Sequence, residues 1–316
     1  MKNFAVVGVG GYIAPRHLRA IRDTGNRLAA ATDPSDSVGI LDQFSFDVRY
    51  FREIERFDRH LDKLRRGRDD SRIEWVSICS PNYLHDAHIR LALRNGANVI
   101  CEKPLVINPW NLDALAALEA ETGRTIATVL QLRVHPALIE LKARLDAERR
   151  IARRDVVLTY VTSRGPWYHA SWKGTEERSG GVGTNIGIHF FDLLLWLFGK
   201  PQLSEVHLRD PRRMSGLLEL SGASVRWFLS VDSADLPASA TAEGRSTFRS
   251  ITVDGAAMEF TEGFADLHTR VYEKTLAGEG HGIEDARPSI ELVHALRTVP
   301  IGGDGPRHPA AARSFE

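Results

Sequence analysis

The first 130 residues alternate short apolar runs with amphipathic segments, and this alternation restricts the fold more than any other feature. The apolar runs have the length of buried strands, and the segments between them have helical spacing. Such an alternation predicts a parallel sheet covered by helices on both faces. Residues 33–72 are charged and weakly periodic, and they carry no clear element. The predicted strands are 4–8, 28–32, 75–80, 98–101 and 125–130, and the predicted helices are 17–24, 85–95 and 109–122.

The second half of the chain has a different pattern. Short strand signals separated by turns predict a largely antiparallel open sheet. We therefore expect an α/β protein with a doubly wound Rossmann domain over 1–130 and an α/β domain over 131–316. The tail after Gly302 is rich in Gly, Pro and Ala, which predicts irregular structure. The predicted elements are helices at 136–150 and 186–198, and strands at 155–163, 204–208, 215–220, 224–231 and 247–253.

Charge and cysteine content narrow the class of protein. The 316 residues carry 41 basic and 41 acidic side chains, a balance that argues against a general binder of nucleic acid or membrane surfaces. The two cysteines, Cys79 and Cys101, end apolar runs and are expected to be buried thiols in a reducing compartment. With no apolar run of membrane-spanning length, the sequence predicts a soluble, cytoplasmic protein.

A glycine-rich turn follows the first predicted strand. Gly8, Gly10 and Gly11 stand between that strand and the first helix, where glycines let the backbone approach a pyrophosphate. The third glycine of the usual dinucleotide fingerprint falls at Ile13, after Tyr12, so the match is incomplete. A structural turn is the alternative.

Asp33 ends the second predicted strand. An acidic side chain there accepts hydrogen bonds from the ribose hydroxyls of the adenosine and repels a 2′-phosphate, which favours NAD over NADP. The alternative is a turn residue before Pro34.

Two further strand ends carry polar residues. Ser80, Pro81, Asn82 and His85 follow the strand at 75–80, and Pro-Asn there is also typical of a plain turn. In parallel sheets the strand carboxyl ends face the ligand crevice.

Glu102 and Lys103 follow the strand at 98–101, before Pro104. A lysine that leaves an apolar strand at this edge indicates a functional side chain, with an ordinary surface lysine as the alternative.

The run from Gly180 to Asp192 carries the fourth group of polar residues. If it is one helix, Asn185, His189 and Asp192 share a face, and a polar stripe in so apolar a helix must meet a partner or a pocket. A core histidine paired with Asp192 is the alternative.

Taken together, these motifs resemble the glucose-fructose oxidoreductase and inositol dehydrogenase superfamily over essentially the whole chain. The resemblance implies a Rossmann domain followed by an α/β domain whose open sheet commonly forms an oligomer interface. It implies that Lys103 polarises the reacting hydroxyl and that His189 is the acid/base. Many relatives have Asp where this chain has Asn185, so a proton relay through position 185 is in doubt although it belongs to the predicted catalytic set.

A narrower resemblance is to bacterial nucleotide-sugar 3-dehydrogenases of surface-polysaccharide (lipopolysaccharide O-antigen) synthesis. It is carried by residues 11–17, 31–39, 131–136 and Asn185. It implies a UDP-N-acetylglucosaminuronic acid substrate and, in some members, re-oxidation of bound NADH by 2-oxoglutarate. Such an anionic ligand needs basic groups.

The resemblance and the strand ends together give the predicted sites. The predicted cofactor-binding residues are Gly8, Gly10, Gly11, Tyr12, Ile13, Asp33, Ser80, Pro81, Asn82, His85, Glu102, Lys103 and Gln131. The predicted substrate-binding residues are Lys103, Arg133, Arg164, Trp172, Lys173, Asn185 and His189. The sequence shows no cluster of Cys and His residues with metal-ligand spacing, so no metal site is expected.

Two other functions stay open from the sequence: a dehydrogenase of a free sugar or inositol, and a non-catalytic NAD-binding sensor. We also expect a homo-oligomer, a tetramer, held by the C-terminal sheet. A single helix layer covers one face of that sheet, and an uncovered face is expected to expose Leu218, Leu220, Trp227 and Leu229.

Overall fold

The computed structural model describes residues 1–148, 152–258 and 266–312. The chain forms two compact units. The first comprises Met1–Val134 and Ala265–Arg287, and the second comprises His135–Phe264 and Pro288–Glu316. The sequence places a single boundary after residue 130, and it does not anticipate that the segment 265–287 joins the N-terminal unit.

The first unit contains a six-stranded parallel sheet. Its order, β3-β2-β1-β4-β5-β6, is that of the Rossmann fold, as predicted. The strands are β1 (Asn3–Val7), β2 (Arg27–Thr32), β3 (Arg49–Phe51), β4 (Trp75–Ile78), β5 (Asn98–Cys101) and β6 (Ile126–Thr128). The helices between them are α1 (Ala14–Asp23), α2 (Ile54–Arg66), α3 (His85–Arg94) and α4 (Trp110–Thr122).

β3 and α2 lie in the stretch where the sequence shows no clear element. Only Phe57 and Leu61 of α2 are buried, and the other eleven side chains are exposed or partly exposed. The buried face of the helix therefore consists of two apolar side chains. A stripe that narrow gives a weak periodic signal.

The cysteines follow the prediction. Cys79 and Cys101 are free and buried, and burial raises the pKa of both thiols well above the usual range. Both are therefore neutral packing side chains at neutral pH.

The second unit contains a mixed sheet in the order β12-β11-β7-β10-β9-β8, and among the strands that the structure describes only the β7–β10 pair is parallel. Its strands are β7 (Arg154–Thr162), β8 (Pro201–Arg209), β9 (Arg213–Leu220), β10 (Ala223–Ser230), β11 (Thr247–Val253) and β12 (Ala256–Met258). Its helices are α5 (Pro136–Ala147), α6 (Pro166–Ala170), α7 (Glu176–Ser179), α8 (Ile188–Phe198) and α9 (Ala238–Ala242).

Three helices complete the chain: α10 (Leu267–Leu276), α11 (Ile283–Thr298) and α12 (Pro309–Ala312). The short α12 lies in the tail that the sequence predicts to be irregular. Residues 149 and 150 of the predicted helix 136–150 lie outside the described residues.

Helix α8 packs on one face of the sheet of the second unit, and the C-terminal tail packs on part of the other face. On one face, Phe191 of α8 meets Trp227 edge-on at 5.1 Å between ring centroids. On the other face, the ring of His308 stacks on Phe228 at 5.5 Å, and the buried Ala311 packs in the same cluster.

The expected exposed apolar patch is therefore wrong. Each of its four side chains, Leu218, Leu220, Trp227 and Leu229, is fully buried by the chain itself. All four lie on the face that α8 covers, where Trp227 meets Phe191 and Leu229 packs against Gly187 at the start of the helix.

One helical stretch, Glu176–Phe198, is long and apolar enough to cross a membrane by length and composition alone. Of its most apolar window, 83% is buried inside the protein. Packing against the sheet of its own unit accounts for that composition.

Candidate active site

The glycine turn joins β1 to α1 at the carboxyl edge of the parallel sheet. Gly8 has φ +84°, and a Cβ at this position would lie 2.6 Å from the backbone nitrogen of Ser80, so only glycine fits. Its N–H donates to the Thr32 carbonyl at 2.8 Å, which ties the turn to the end of β2.

The start of α1 offers donors for an anion. Among the described residues, the backbone N–H groups of Tyr12 and Ile13 have no protein acceptor. Two adjacent open donors at a helix N-terminus suit a diphosphate, so the turn fits the group that the incomplete glycine pattern predicts.

Asp33 stands directly after β2 and braces this turn. Its Oδ2 accepts the N–H of Gly10 at 2.9 Å, and its Oδ1 accepts the N–H of Ser35 at 2.8 Å. A carboxylate offers about four acceptor positions. Asp33 therefore retains capacity for ribose hydroxyls while it holds the turn.

The segment after β4 is held by buried histidines. His85 is fully buried, with Nδ1 2.7 Å from the carbonyl of Pro104 and Nε2 2.9 Å from the carbonyl of Ser80. Burial lowers the pKa of His85, while these two carbonyl contacts raise it. The side chain of Ser80 bonds His88 at 2.8 Å. Asn82 is buried and Pro81 is half-buried in the same turn.

Lys103 follows β5 and is held from both sides. Its own N–H donates to Oε2 of Glu102 at 3.2 Å, and the carbonyl of the next residue, Pro104, meets His85. Because β2, β1, β4 and β5 are neighbours in one parallel sheet, Asp33, Gly8, Ser80 and Lys103 share its carboxyl edge.

Glu102 is the centre of a buried polar network. Its Oε1 accepts from Nε2 of His17 at 2.9 Å and from Nε2 of His268 at 2.8 Å. Tyr272 extends the network, with its hydroxyl 2.7 Å from Nδ1 of His17 and 2.5 Å from the hydroxyl of Ser77. Burial raises the pKa of Glu102, but the histidine bonds outweigh it and hold that pKa well below the usual range.

In the second unit, Asn185 lies in a π-helical turn, Gly183–Gly187, that precedes α8. The expectation of one regular helix through Asn185, His189 and Asp192 is thus corrected, because the π turn changes the register before His189. Gly187 lets the π turn pack closely against the sheet, because a Cβ at this position would lie 2.5 Å from Leu229. His189 is half-buried at the start of α8, and Asp192 is buried.

Asn185 has a partner that the sequence did not suggest. Its amide Nδ2 donates to the hydroxyl of Tyr168 at 2.7 Å, and both residues are buried. Burial raises the pKa of Tyr168, which keeps its hydroxyl neutral. An amide at position 185 is therefore fixed in orientation by α6.

Two basic side chains of the second unit lack anionic partners. Lys173 lies over the ring of Trp172 at 4.2 Å, and burial, with the nearby charge of Arg164, lowers its pKa. The Nε of Arg164 is buried with no hydrogen-bond partner. Within the described part of the chain, neither cation reaches a carboxylate. Two adjacent uncompensated cations favour an anionic ligand.

The remaining predicted residues lie elsewhere in the first unit. Arg133 pairs with Asp285, with 3.3 Å from Nη1 to Oδ1 and 3.0 Å from Nη2 to the Asp285 carbonyl. Gln131 begins the short 3₁₀ turn after β6, and the side chain of Tyr12 is exposed. The partner of Arg133 is thus a residue of its own unit.

Sequence reasoning did not identify His17, His268, Tyr272 or Tyr168. Each is buried with a polar contact to a predicted site residue or to another member of this group. His17 stands on the buried face of α1, where a polar side chain in an apolar stripe was the available signal.

Known proteins share both halves of this architecture. Residues 2–130 match the NAD-binding Rossmann domain of the GFO/IDH/MocA oxidoreductases, and residues 151–224 match their C-terminal α/β domain. The WlbA (WbpB) dehydrogenase from Thermus thermophilus, solved in complex with NAD and alpha-ketoglutarate, is 53% identical with a TM-score of 0.93. That match covers 98% of this chain and 99% of that chain. Its structure with NAD and UDP-GlcNAcA matches at 52% identity with the same TM-score, 0.93.

A more distant relative is inositol 2-dehydrogenase from Rhizobium meliloti. It is 26% identical over 64% of this chain, and the match covers 56% of its own length. The match to the 2,7-anhydro-N-acetylneuraminate hydratase of Mediterraneibacter gnavus covers 49% of that protein's own length. The chain thus spans about half the length of these curated relatives.

Proposed function

The chain belongs to the GFO/IDH/MocA oxidoreductase family, and from this membership we propose that it oxidises the C3′ hydroxyl of UDP-N-acetylglucosaminuronic acid to the 3-keto sugar. The family makes it an oxidoreductase that binds NAD. The observation that carries the substrate is the 52% identity, over 98% of this chain, to a dehydrogenase solved with NAD and UDP-GlcNAcA.

In this proposal NAD supplies the hydride acceptor. Asp33 would accept hydrogen bonds from its adenosine ribose, Gly8 and Gly10 would let the backbone approach its diphosphate, and the open N–H groups of Tyr12 and Ile13 would bind that diphosphate. The other predicted residues after β4 and β5 would complete its site, apart from His85 and Glu102, whose buried side chains are paired within the protein.

The reacting hydroxyl loses its proton to His189, because imidazole is the side chain most often used as a general base near neutral pH. The ammonium of Lys103 stabilises the developing alkoxide. The hydrogen on C3′ leaves with its electron pair, so the products are the ketone, NADH and a proton. Asn185, fixed by Tyr168, orients the sugar.

Arg164 and Lys173 bind the anionic part of the substrate. Their lack of carboxylate partners within the described residues supports this role, since a uronate carboxylate would satisfy both. Trp172 lies beneath Lys173 and offers an aromatic face for the sugar.

We also propose that 2-oxoglutarate re-oxidises the cofactor. It would take a hydride from NADH and a proton to become 2-hydroxyglutarate. A relative at 53% identity was solved with alpha-ketoglutarate, and this acid carries carboxylates that the same two cations can pair with. Assembly as a homotetramer and a cytoplasmic role in O-antigen synthesis stay predictions.

The substrate assignment predicts that the uronate is preferred over the uncharged sugar. Purified protein receives UDP-N-acetylglucosaminuronic acid or UDP-N-acetylglucosamine, each with and without 2-oxoglutarate. We expect keto-sugar only from the uronate, with one 2-hydroxyglutarate for each keto-sugar when the oxoacid is present. Equal turnover of the uncharged sugar would contradict the assignment. A need for added NAD without effect of the oxoacid would remove only the recycling step.

Asp33 is expected to set the preference for NAD. Replacing Asp33 with Ala removes the acceptor of two backbone N–H groups and the charge that repels a 2′-phosphate. We expect about tenfold weaker NAD binding, from loss of a charge-assisted contact, and a smaller loss for NADP. Calorimetric titration of both dinucleotides measures this, with the exposed Asp36→Ala as the control. Tighter binding of NADP than NAD by the unmodified protein would refute the assignment.

A further inference from the structure

We propose that His17 and His268 are positioning residues for Lys103, which they hold in place by fixing the carboxylate of Glu102. The inference rests on the proposed role of Lys103 in the reaction. It assigns a function to two buried histidines for which the contacts described above include none to the side chains of Lys103, His189 or Asn185.

The carboxylate of Glu102 accepts hydrogen bonds from three donors of the first unit. One oxygen accepts two imidazole N–H groups at 2.8 and 2.9 Å, and the other accepts the N–H of Lys103 at 3.2 Å. Its side chain is 9% exposed. Such a carboxylate cannot rotate without leaving at least one buried donor unpaired, which is unfavourable.

The two histidines stand on different helices, one before Glu102 in the sequence and one after it. His17 stands on α1, directly behind the glycine turn, and His268 stands on α10, which packs against α1. Tyr272, one turn after His268, fixes the other nitrogen of His17. The orientation of Glu102 is thus set by elements that are themselves packed in the core.

Lys103 is held on its other side as well. The carbonyl of Pro104 meets His85, so the backbone is fixed immediately before and immediately after the lysine side chain. Catalytic rates fall by up to about a hundredfold when a reacting group is misplaced by 1 Å. Bracing of this kind therefore has a catalytic consequence even though the bracing groups lie behind the site.

The alternative role for these side chains is to bind a metal ion. The ligand atoms of His17, Glu102 and His268 lie within 4.8 Å of one another. Coordination through Nε2 would require the proton of His268 on Nδ1, which is buried with no acceptor. With the proton on Nε2, His268 donates to Glu102, and only the acceptor Nδ1 is left without a partner. The hydrogen-bonded arrangement satisfies more of the network.

The test uses two variants of His268 whose side-chain amides differ only in their distance from the backbone. In His268→Gln the side-chain amide occupies the place of Nε2 and still donates to Glu102, whereas in His268→Asn it is too short. We expect His268→Asn to lower kcat about tenfold, the lower end for loss of such a supporting bond, with KM and NAD affinity within about twofold. His268→Gln should stay within about threefold of the unmodified kcat.

Acylation of the Lys103 amine, followed by peptide mass mapping without NAD or substrate, gives a second readout. Its rate should change in His268→Asn and not in His268→Gln. The control is His207→Asn, which shortens the histidine of another His–Glu pair, 3.0 Å long, in the sheet of the second unit. It should change neither kcat nor labelling.

Unchanged kcat and labelling in His268→Asn would overturn the inference, as would a stoichiometric divalent ion whose removal by chelator abolishes activity. Lys103→Met, measured in parallel, separates the proposed role of Lys103 in the reaction from the positioning role of the histidines. If it keeps turnover, the proposed role of Lys103 fails. If it loses turnover while His268→Asn does not, only the positioning role fails.

Discussion

Lys103→Met and His189→Asn are each expected to lower turnover by about a hundredfold or more, the scale of a positioned acid/base or oxyanion partner. NAD affinity should stay within about twofold, because the dinucleotide contacts proposed at Gly8, Asp33 and the start of α1 are untouched. Stopped-flow measurement of NADH formation, together with equilibrium NAD binding, separates chemistry from binding.

The matched control for the lysine is Lys63→Met, an exposed lysine on α2 of the same unit. It should turn over normally. Near-normal rates in both Lys103→Met and His189→Asn, with an unchanged unfolding midpoint, would show that neither side chain takes part in the reaction.

Arg164→Met combined with Lys173→Met is expected to raise KM for the uronate by about a hundredfold or more. Each lost charge-assisted hydrogen bond is worth about 1.5–3 kcal/mol, and the two substitutions remove both cations from the proposed anion site. Steady-state kinetics with the nucleotide sugar measure the change.

Lys200→Met removes an exposed cation of the same unit and serves as the control. It should leave KM unchanged. If the double variant keeps its KM for the uronate but loses affinity for 2-oxoglutarate alone, the two cations recognise the oxoacid and not the sugar.

The parallel sheet was predictable because its strands other than β3 are largely buried on both faces and read as apolar runs. Trp75–Ile78 and Asn98–Cys101 are examples, with only Asn98 not fully buried. Lys103 and Asp33 were identifiable because each stands directly after such a run. The antiparallel strands of the second unit were marked by their turns.

The network around Glu102 was not predictable by the same reasoning. Glu102 and His268 are 166 positions apart, and nothing local to either residue indicates the other. The π turn at Gly183–Gly187 was hidden for a different reason. Its glycines indicate close packing, but a sequence pattern does not distinguish a π turn from an α-helical one.

The division of the first unit between two stretches of sequence has a consequence for how the protein is made. A nascent chain that has left the ribosome as far as Val134 already contains every strand of the parallel sheet, but not α10. Until His268 and Tyr272 emerge, Glu102 lacks one of its two imidazole donors, and His17 lacks the hydroxyl that orients it. The unit that binds the cofactor therefore reaches its final form late in translation, after every described strand of the second unit's sheet has been synthesised. Loss of the C-terminal stretch from 265 onward would disable the N-terminal half of the enzyme as well as its own end.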